Sequence, residues 1–445
     1  MRKRIIAAMV AGIILVGAGS AAYVASPTIH AGQPGEAPEL GRPGEFNIGT
    51  TVKEFALDGR TKITTWGAIS GNLVDANRQL SVRFWYPAIT GNGETAEYSH
   101  IMRPPGKDPV TISSKGMAVP HADAVDDQKH PLVLMSHGFG GWDTQFSNLA
   151  EHIASHGYIV ASIDHADMPI DGVTSLILSF GNVLVDRTLD QRQVLAQILK
   201  DAQSGSQAYA AQIDSDSVGL IGYSMGGYGA IASAGAPYDF TNDPMSNIPA
   251  TARTALEEVS QKALPIKSLI TFSPWGGQPD SRAWAAENIG KIDMPVLVIA
   301  GNQDDVVNYE QGVRWLFENM TGSDRYMLVY REARHNIVGN EFSLDRDGDF
   351  ATTEFLKEPV WRSDRLNAIN QHFVTAFLDM TLKGDASKAD YLNVPTVDSN
   401  DSKWPTGFGE QLNGTMAGSE QKDHWKGFQH RWAVGLEMHR LQKKQ

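Results

Sequence analysis

From Pro131 to about Leu382 the chain repeats one pattern, a short apolar run followed by a longer stretch with apolar residues three and four positions apart. Leu132 to Met135 is such a run, Thr144 to Ser155 has helical spacing, and Tyr158 to Ile163 is the next run. Thr188 to Gln203 then places Leu189, Leu195, Ile198 and Leu199 on one side of an amphipathic helix. Further runs at Val218 to Ile221, Ile266 to Phe272, Val296 to Ala300 and Tyr326 to Tyr330 follow, with a helix after Ser224 and a long closing helix over Asp364 to Leu382. Apolar runs of strand length alternating with helices predict an α/β architecture, a mostly parallel sheet with helices on both faces. Ligands of such sheets bind beyond the carboxyl ends of the strands.

The segments outside this rhythm read differently. Residues 26–50 are rich in Pro and Gly without periodicity, as in a linker or irregular arm. Thr51 to Leu57 and Gln79 to Tyr86 are β-like and predict an antiparallel start to the sheet, so the catalytic domain is expected to span 51–385. Residues 236–265 break the pattern with Pro, Asn and Asp directly after the helix that follows Ser224, which predicts an insertion near the site, a candidate lid. Residues 386–445 form a polar extension containing Trp404, Trp425 and Trp432.

Composition narrows the function classes. With 42% hydrophobic and 20% charged residues in 445, the chain has ordinary globular content and enough length for a large core. A formal net charge of -13 argues against nucleic acid as a partner, since nothing would neutralise a row of phosphates. Arg2, Lys3 and Arg4 precede an apolar run from Ile5 and then Gly19, Ser20, Ala21 and Ala22, the layout of a secretory signal within residues 1–25. An uncleaved anchor is the alternative, and a membrane is a partner only in that case; either way the body is expected to be exported. The absence of cysteine removes disulfides and any thiol nucleophile, and export without disulfides is easiest to place in a bacterium.

The candidate chemistry begins at Gly222-Tyr223-Ser224-Met225-Gly226, a Gly-x-Ser-x-Gly that ends an apolar run and opens a helix. With 43 glycines in the chain, the pattern alone is equally compatible with a glycine-rich turn. Its partners change that. A serine hydroxyl needs a base, and the base an acid to orient it. Asp304 follows the run Val296 to Ala300, with Asp305 as the alternative acid, and His335 follows the run Tyr326 to Tyr330, giving the order serine, acid, histidine, each at a strand end. Attack on a carbonyl also needs donors for the developing oxyanion. Ser136-His137-Gly138-Phe139-Gly140-Gly141 follows the first central run, and the amides of Phe139 and Met225 are the expected donors, with Gly138 and Gly140 letting the backbone approach the acyl group. His137 fits loop shaping better than base chemistry. Trp275, Phe139 and either Tyr223 or Met225 are candidates for an apolar, aromatic pocket wall, with a core position as the alternative for Trp275, and no obvious cationic cluster marks an anionic substrate. This chemistry uses no cofactor and no metal. Asp345 to Asp349 starts like a calcium loop, but Phe350 and Leu356 stand where its glycine and bidentate glutamate belong, so an acidic surface loop is the first expectation.

These motifs together resemble the α/β-hydrolase fold. Within it the chain is similar to the group holding platelet-activating-factor acetylhydrolases, dienelactone-hydrolase-like proteins and cutinase-like polyester hydrolases. The resemblance is carried by Phe84-Trp85-Tyr86-Pro87-Ala88, by Ser136 to Gly141, by Ala154 to Val160 with Ile163-Asp164-His165, and by Phe272-Ser273-Pro274-Trp275. It covers roughly Val82 to Asp385 and implies a secreted serine esterase or lipase-like enzyme acting on a small-molecule or polymeric ester. True dienelactone hydrolases use a cysteine and cutinase-like enzymes carry disulfides, both absent here. An amide or peptide hydrolase using the same three side chains, or a catalytically silent binding protein on this scaffold, are the alternatives.

Overall fold

A computed structural model describes residues 38–64, 73–103, 107–125, 128–205, 207–260, 262–344, 356–404, 423–428 and 433–444. The expected signal within 1–25 and the acidic loop Asp345 to Asp349 lie outside them. The chain enters with a long antiparallel hairpin, β1 (Ile48–Lys62) and β2 (Val74–Ile89). An antiparallel arm follows, β3 (Glu97–Met102) and β4 (Val110–Lys115), then two short strands, β5 (Val119–Pro120) and β6 (Asp123–Ala124). The apolar runs next become β7 (His130–Ser136), β8 (Ile159–Asp164), β9 (Ile213–Tyr223), β10 (Ile266–Phe272), β11 (Val296–Gly301) and β12 (Arg325–Tyr330), each parallel to its neighbours within this set. The short β13 (Ser343–Leu344) pairs with β4, and β14 (Leu436–Leu441) pairs antiparallel with β12. The main sheet has the order β14-β12-β11-β10-β9-β7-β8-β2-β1-β5, with β6 on β2.

Helices cover both faces, as the alternating pattern predicts. Side chains of a strand point alternately to its two faces. On β7, Leu132 and Leu134 therefore join one core with α2 (Val173–Ser204) and α3 (Met225–Ser233). Val133 and Met135 join the other, with α1 (Ser147–Ser155) and α5 (Ser363–Leu382). Between them stands α4 (Ala250–Ser260) in chain order, on the α2 side.

Three expectations change. The helix predicted from Thr188 begins at Val173, where its first turns expose Val173, Leu176 and Ile177 and so lack an inward apolar stripe. The candidate lid, residues 236–265, is packed on the core. Met245, Ile248, Ala252 and Leu256 are buried in the core beside α2, and Arg192 of α2 holds the segment by donating to the carbonyls of Val259 and Lys262. The stretch 26–50 is not irregular at its end: Glu39–Gly41 forms a turn whose Leu40 amide donates to His372 Nδ1 on α5 at 3.1 Å, and β1 starts at Ile48. In the polar tail, Trp404 and Trp425 are buried and β14 extends the sheet, while Trp432 lies outside the described residues.

Candidate active site

At the carboxyl end of β9 the chain turns through a single residue into α3. That residue, Ser224, has φ 51 and ψ -115, a left-handed conformation that a side-chain-bearing residue adopts only under strain. The turn is possible because its neighbours lack side chains. A Cβ on Gly222 would lie 2.3 Å from the Gly226 carbonyl oxygen, and one on Gly226 would lie 2.1 Å from the Ser136 carbonyl oxygen. Gly226→Ala is therefore expected to cost about 3 kcal/mol of stability through forced backbone displacement. Thermal or urea unfolding checks this, and a variant as stable as the parent would contradict the tight strand-helix approach. The elbow is further held by Ser224 N–H to Phe272 O at 2.9 Å and Trp275 N–H to Ser224 O at 3.1 Å.

The turn after β11 carries Asp304, 4% exposed. Its Oδ1 accepts the amides of Val306 at 3.0 Å and Val307 at 3.2 Å, and its Oδ2 stands 2.8 Å from His335 Nδ1. Burial alone would raise this carboxyl, but the hydrogen bond and charge of His335, with the Val307 amide, hold it below the usual carboxylate range. It is thus ionised in neutral solution and fixes the imidazole proton on Nδ1, leaving the Nε2 lone pair for other work. Of the two candidate acids only Asp304 meets His335. Asp305 has a side chain 60% exposed and pairs instead with Arg334 at 3.0 Å.

Ser224 and His335 line one cavity of about 440 Å³, together with Gly138, Phe139 and Tyr223. The Tyr223 and His335 rings stand 5.1 Å apart, and the Tyr223 hydroxyl lies 3.1 Å from Asn336 Oδ1. The Phe139 amide makes no hydrogen bond among the described residues. The Met225 amide is the first of α3, one of those a helix leaves without an internal partner. Two free amides beside a strained serine can receive an oxyanion.

Two sequence expectations need correction here. Trp275 does not line this cavity: its ring is packed edge-on against Phe180 and Tyr228, both at 5.4 Å, so it belongs to the core beneath the site and acts there through its amide on Ser224. Gly140 does not line it either, because its amide turns away to Asp167 Oδ2 at 2.9 Å. Conversely, Arg334 and Lys357 stand at the cavity edge, cations that linear spacing did not group.

Beneath the Ser136 to Gly141 loop lies a buried Ser-His-Asp string separate from Ser224, His335 and Asp304. Ser136 Oγ is 2.7 Å from His165 Nε2, and His165 Nδ1 is 2.8 Å from Asp190 Oδ2. Burial and the Arg187 charge push His165 down to about 4, so the ring is neutral, donates to Asp190 and accepts from Ser136. All three are buried and none lines the cavity, so this string supports the loop. His137 does the same: burial keeps it neutral, its Nδ1–H donates to Gly138 O at 2.7 Å, and its Nε2 accepts the His165 amide at 3.1 Å.

Comparison with known proteins finds two partial family matches on this scaffold. Residues 76–172 match the family of platelet-activating factor acetylhydrolase, isoform II, and residues 187–358 match the prolyl oligopeptidase family. Both belong to one superfamily. The chain is an α/β-hydrolase. Over 40 residues this α/β-hydrolase is 48% identical to the platelet-activating factor acetylhydrolase of Canis lupus familiaris and 45% identical to that of Bos taurus. Each match covers 9% of this chain and 9% of the relative. It is a local likeness within an α/β-hydrolase whose elbow, acid and imidazole sit where the fold gathers ligands.

Proposed function

We propose that this α/β-hydrolase is an exported serine hydrolase of carboxylic esters. The observation that carries the reading is the 2.8 Å contact from Asp304 to His335, beside a strained Ser224 lining the same cavity. In this reading His335 Nε2 takes the Ser224 proton as Oγ attacks the acyl carbon, and Asp304 stabilises the imidazolium. The Phe139 and Met225 amides hold the oxyanion. Collapse of the tetrahedral intermediate expels the alcohol, which receives the proton from His335, and water then releases the acyl group by the same steps. The similarity to platelet-activating factor acetylhydrolase supports an ester as substrate.

An amide hydrolase is the second reading, supported by the match of residues 187–358 to the prolyl oligopeptidase family. Parallel assays with a p-nitrophenyl acyl ester and the corresponding p-nitroanilide separate the two. The expected result is turnover of the ester at a far higher kcat/KM; preferential anilide or peptide cleavage would move the protein to the second reading. Export rests on the basic and apolar opening of the chain. N-terminal sequencing of the mature protein is expected to begin after Ala22, whereas an intact, membrane-retained N-terminus would make the segment an anchor.

A further inference from the structure

The loop that presents Phe139 is gripped on both sides by one buried ion pair. The Gly138 carbonyl accepts from Arg187 Nη2 at 2.9 Å as well as from His137, and the Gly140 amide donates to Asp167 Oδ2 at 2.9 Å. Arg187 and Asp167 meet fork to fork, Nη1 to Oδ1 and Nη2 to Oδ2, both at 2.6 Å. Their side chains are 0% and 6% exposed. Burial alone would raise Asp167, but the Arg187 charge and hydrogen bonds hold it well below the usual carboxylate range. A buried pair of this kind contributes little net stability, because desolvation offsets much of the attraction. What it does supply here is direction.

The Gly138 carbonyl and the Phe139 N–H belong to one planar trans peptide, so they point in opposite directions and turn together. Three donors act on the oxygen: the Gly141 amide closes the local turn at 3.3 Å, and the shorter contacts from His137 and Arg187 set the angle of that plane, while the Gly140 contact holds the chain on the far side of Phe139. The N–H between these anchors is left free and Phe139 lines the cavity. We propose that Arg187, seated on Asp167, is a positioning residue that orients the Gly138–Phe139 peptide so that the Phe139 N–H meets the oxyanion. This rests on the acyl-transfer reading above. Orientation of such a donor matters more to the transition state than to the bound ester, so its loss falls on kcat rather than KM.

The test uses the full chain with Arg187→Met and Arg187→Lys, reading kcat and KM on a p-nitrophenyl ester and the Ki of a trifluoromethyl ketone that forms a tetrahedral adduct. Folded Arg187→Met is expected to lose about 10- to 100-fold in kcat with little change in KM. Its Ki should weaken in step with kcat/KM, and Arg187→Lys should recover part of both. Unchanged kcat in folded Arg187→Met, or a kcat loss with unchanged Ki, would overturn the proposal. If Arg187→Met does not fold, Arg187→Lys decides alone, since it keeps the charge beside Asp167 and loses the planar fork: a matched fall in kcat and ketone affinity supports the proposal, and parent values of both overturn it. Activity retained by Ser224→Ala would remove the underlying reading instead; an inactive Ser224→Ala beside an indifferent Arg187 would remove only this inference.

Discussion

Ser224→Ala is expected to lower kcat on a short-chain p-nitrophenyl ester by about 10⁴- to 10⁶-fold, the range seen when an activated nucleophile is deleted. The effect should fall on chemistry alone. The Ser224 hydroxyl makes no hydrogen bond among the described residues, its amide to Phe272 is kept, and alanine meets the same backbone strain as serine. The melting temperature should therefore stay near the parent's. Steady-state kinetics with a thermal unfolding curve check both halves. Undiminished turnover would place the nucleophile elsewhere, and the buried Ser136 beside His165 would be the first place to look.

The second large effect is expected of Asp304→Asn, about 10⁴-fold in kcat. The reason lies in which oxygen does what. Oδ1 accepts two backbone amides, so the asparagine oxygen must stay there and its NH₂ must face His335. The imidazole then has to accept at Nδ1 and carry its proton on Nε2, the tautomer that cannot take a proton from serine. Asp305→Asn makes the contrast, with a change of only about a few-fold, because its exposed pairing with Arg334 is of the surface kind. The reverse order of effects, measured on the same ester, would transfer the role to Asp305.

How much of this was legible in advance follows from the range of the interactions. The strands β7 and β11 could be read because their residues are buried on both faces and the apolar runs are continuous. The elbow could be read because the glycines that permit it are local: Gly222 and Gly226 sit two positions either side of Ser224 and meet backbone. The acid and the imidazole could be placed by strand order, but choosing Asp304 over Asp305 took the amides of Val306 and Val307, which aim one carboxylate and leave the other in solvent.

What could not be read depends on partners far along the chain. The first turns of α2 expose Val173 and Ile177, so their spacing has no buried stripe to betray a helix. Segment 236–265 looks like a lid by position, yet Arg192 and the buried Met245 and Leu256 bind it to α2. β14 is a strand because the edge of β12 pairs with it, not because of its own charged sequence. Trp275 carries an aromatic signal in a loop next to the site, and only packing against Phe180 and Tyr228 assigns it to the core. The Arg187 and Asp167 grip on the Ser136 to Gly141 loop joins α2 to the turn after β8, a pairing no local motif encodes.

The most direct test of the whole account is covalent. Treat the parent protein and His335→Ala with a fluorophosphonate, digest both, and map the adduct by mass spectrometry. The expected result is one phosphonyl group on Ser224 of the parent and a greatly slowed reaction in His335→Ala. An ester-hydrolysing parent that stays unlabelled at Ser224, or carries the adduct on another residue, would contradict it.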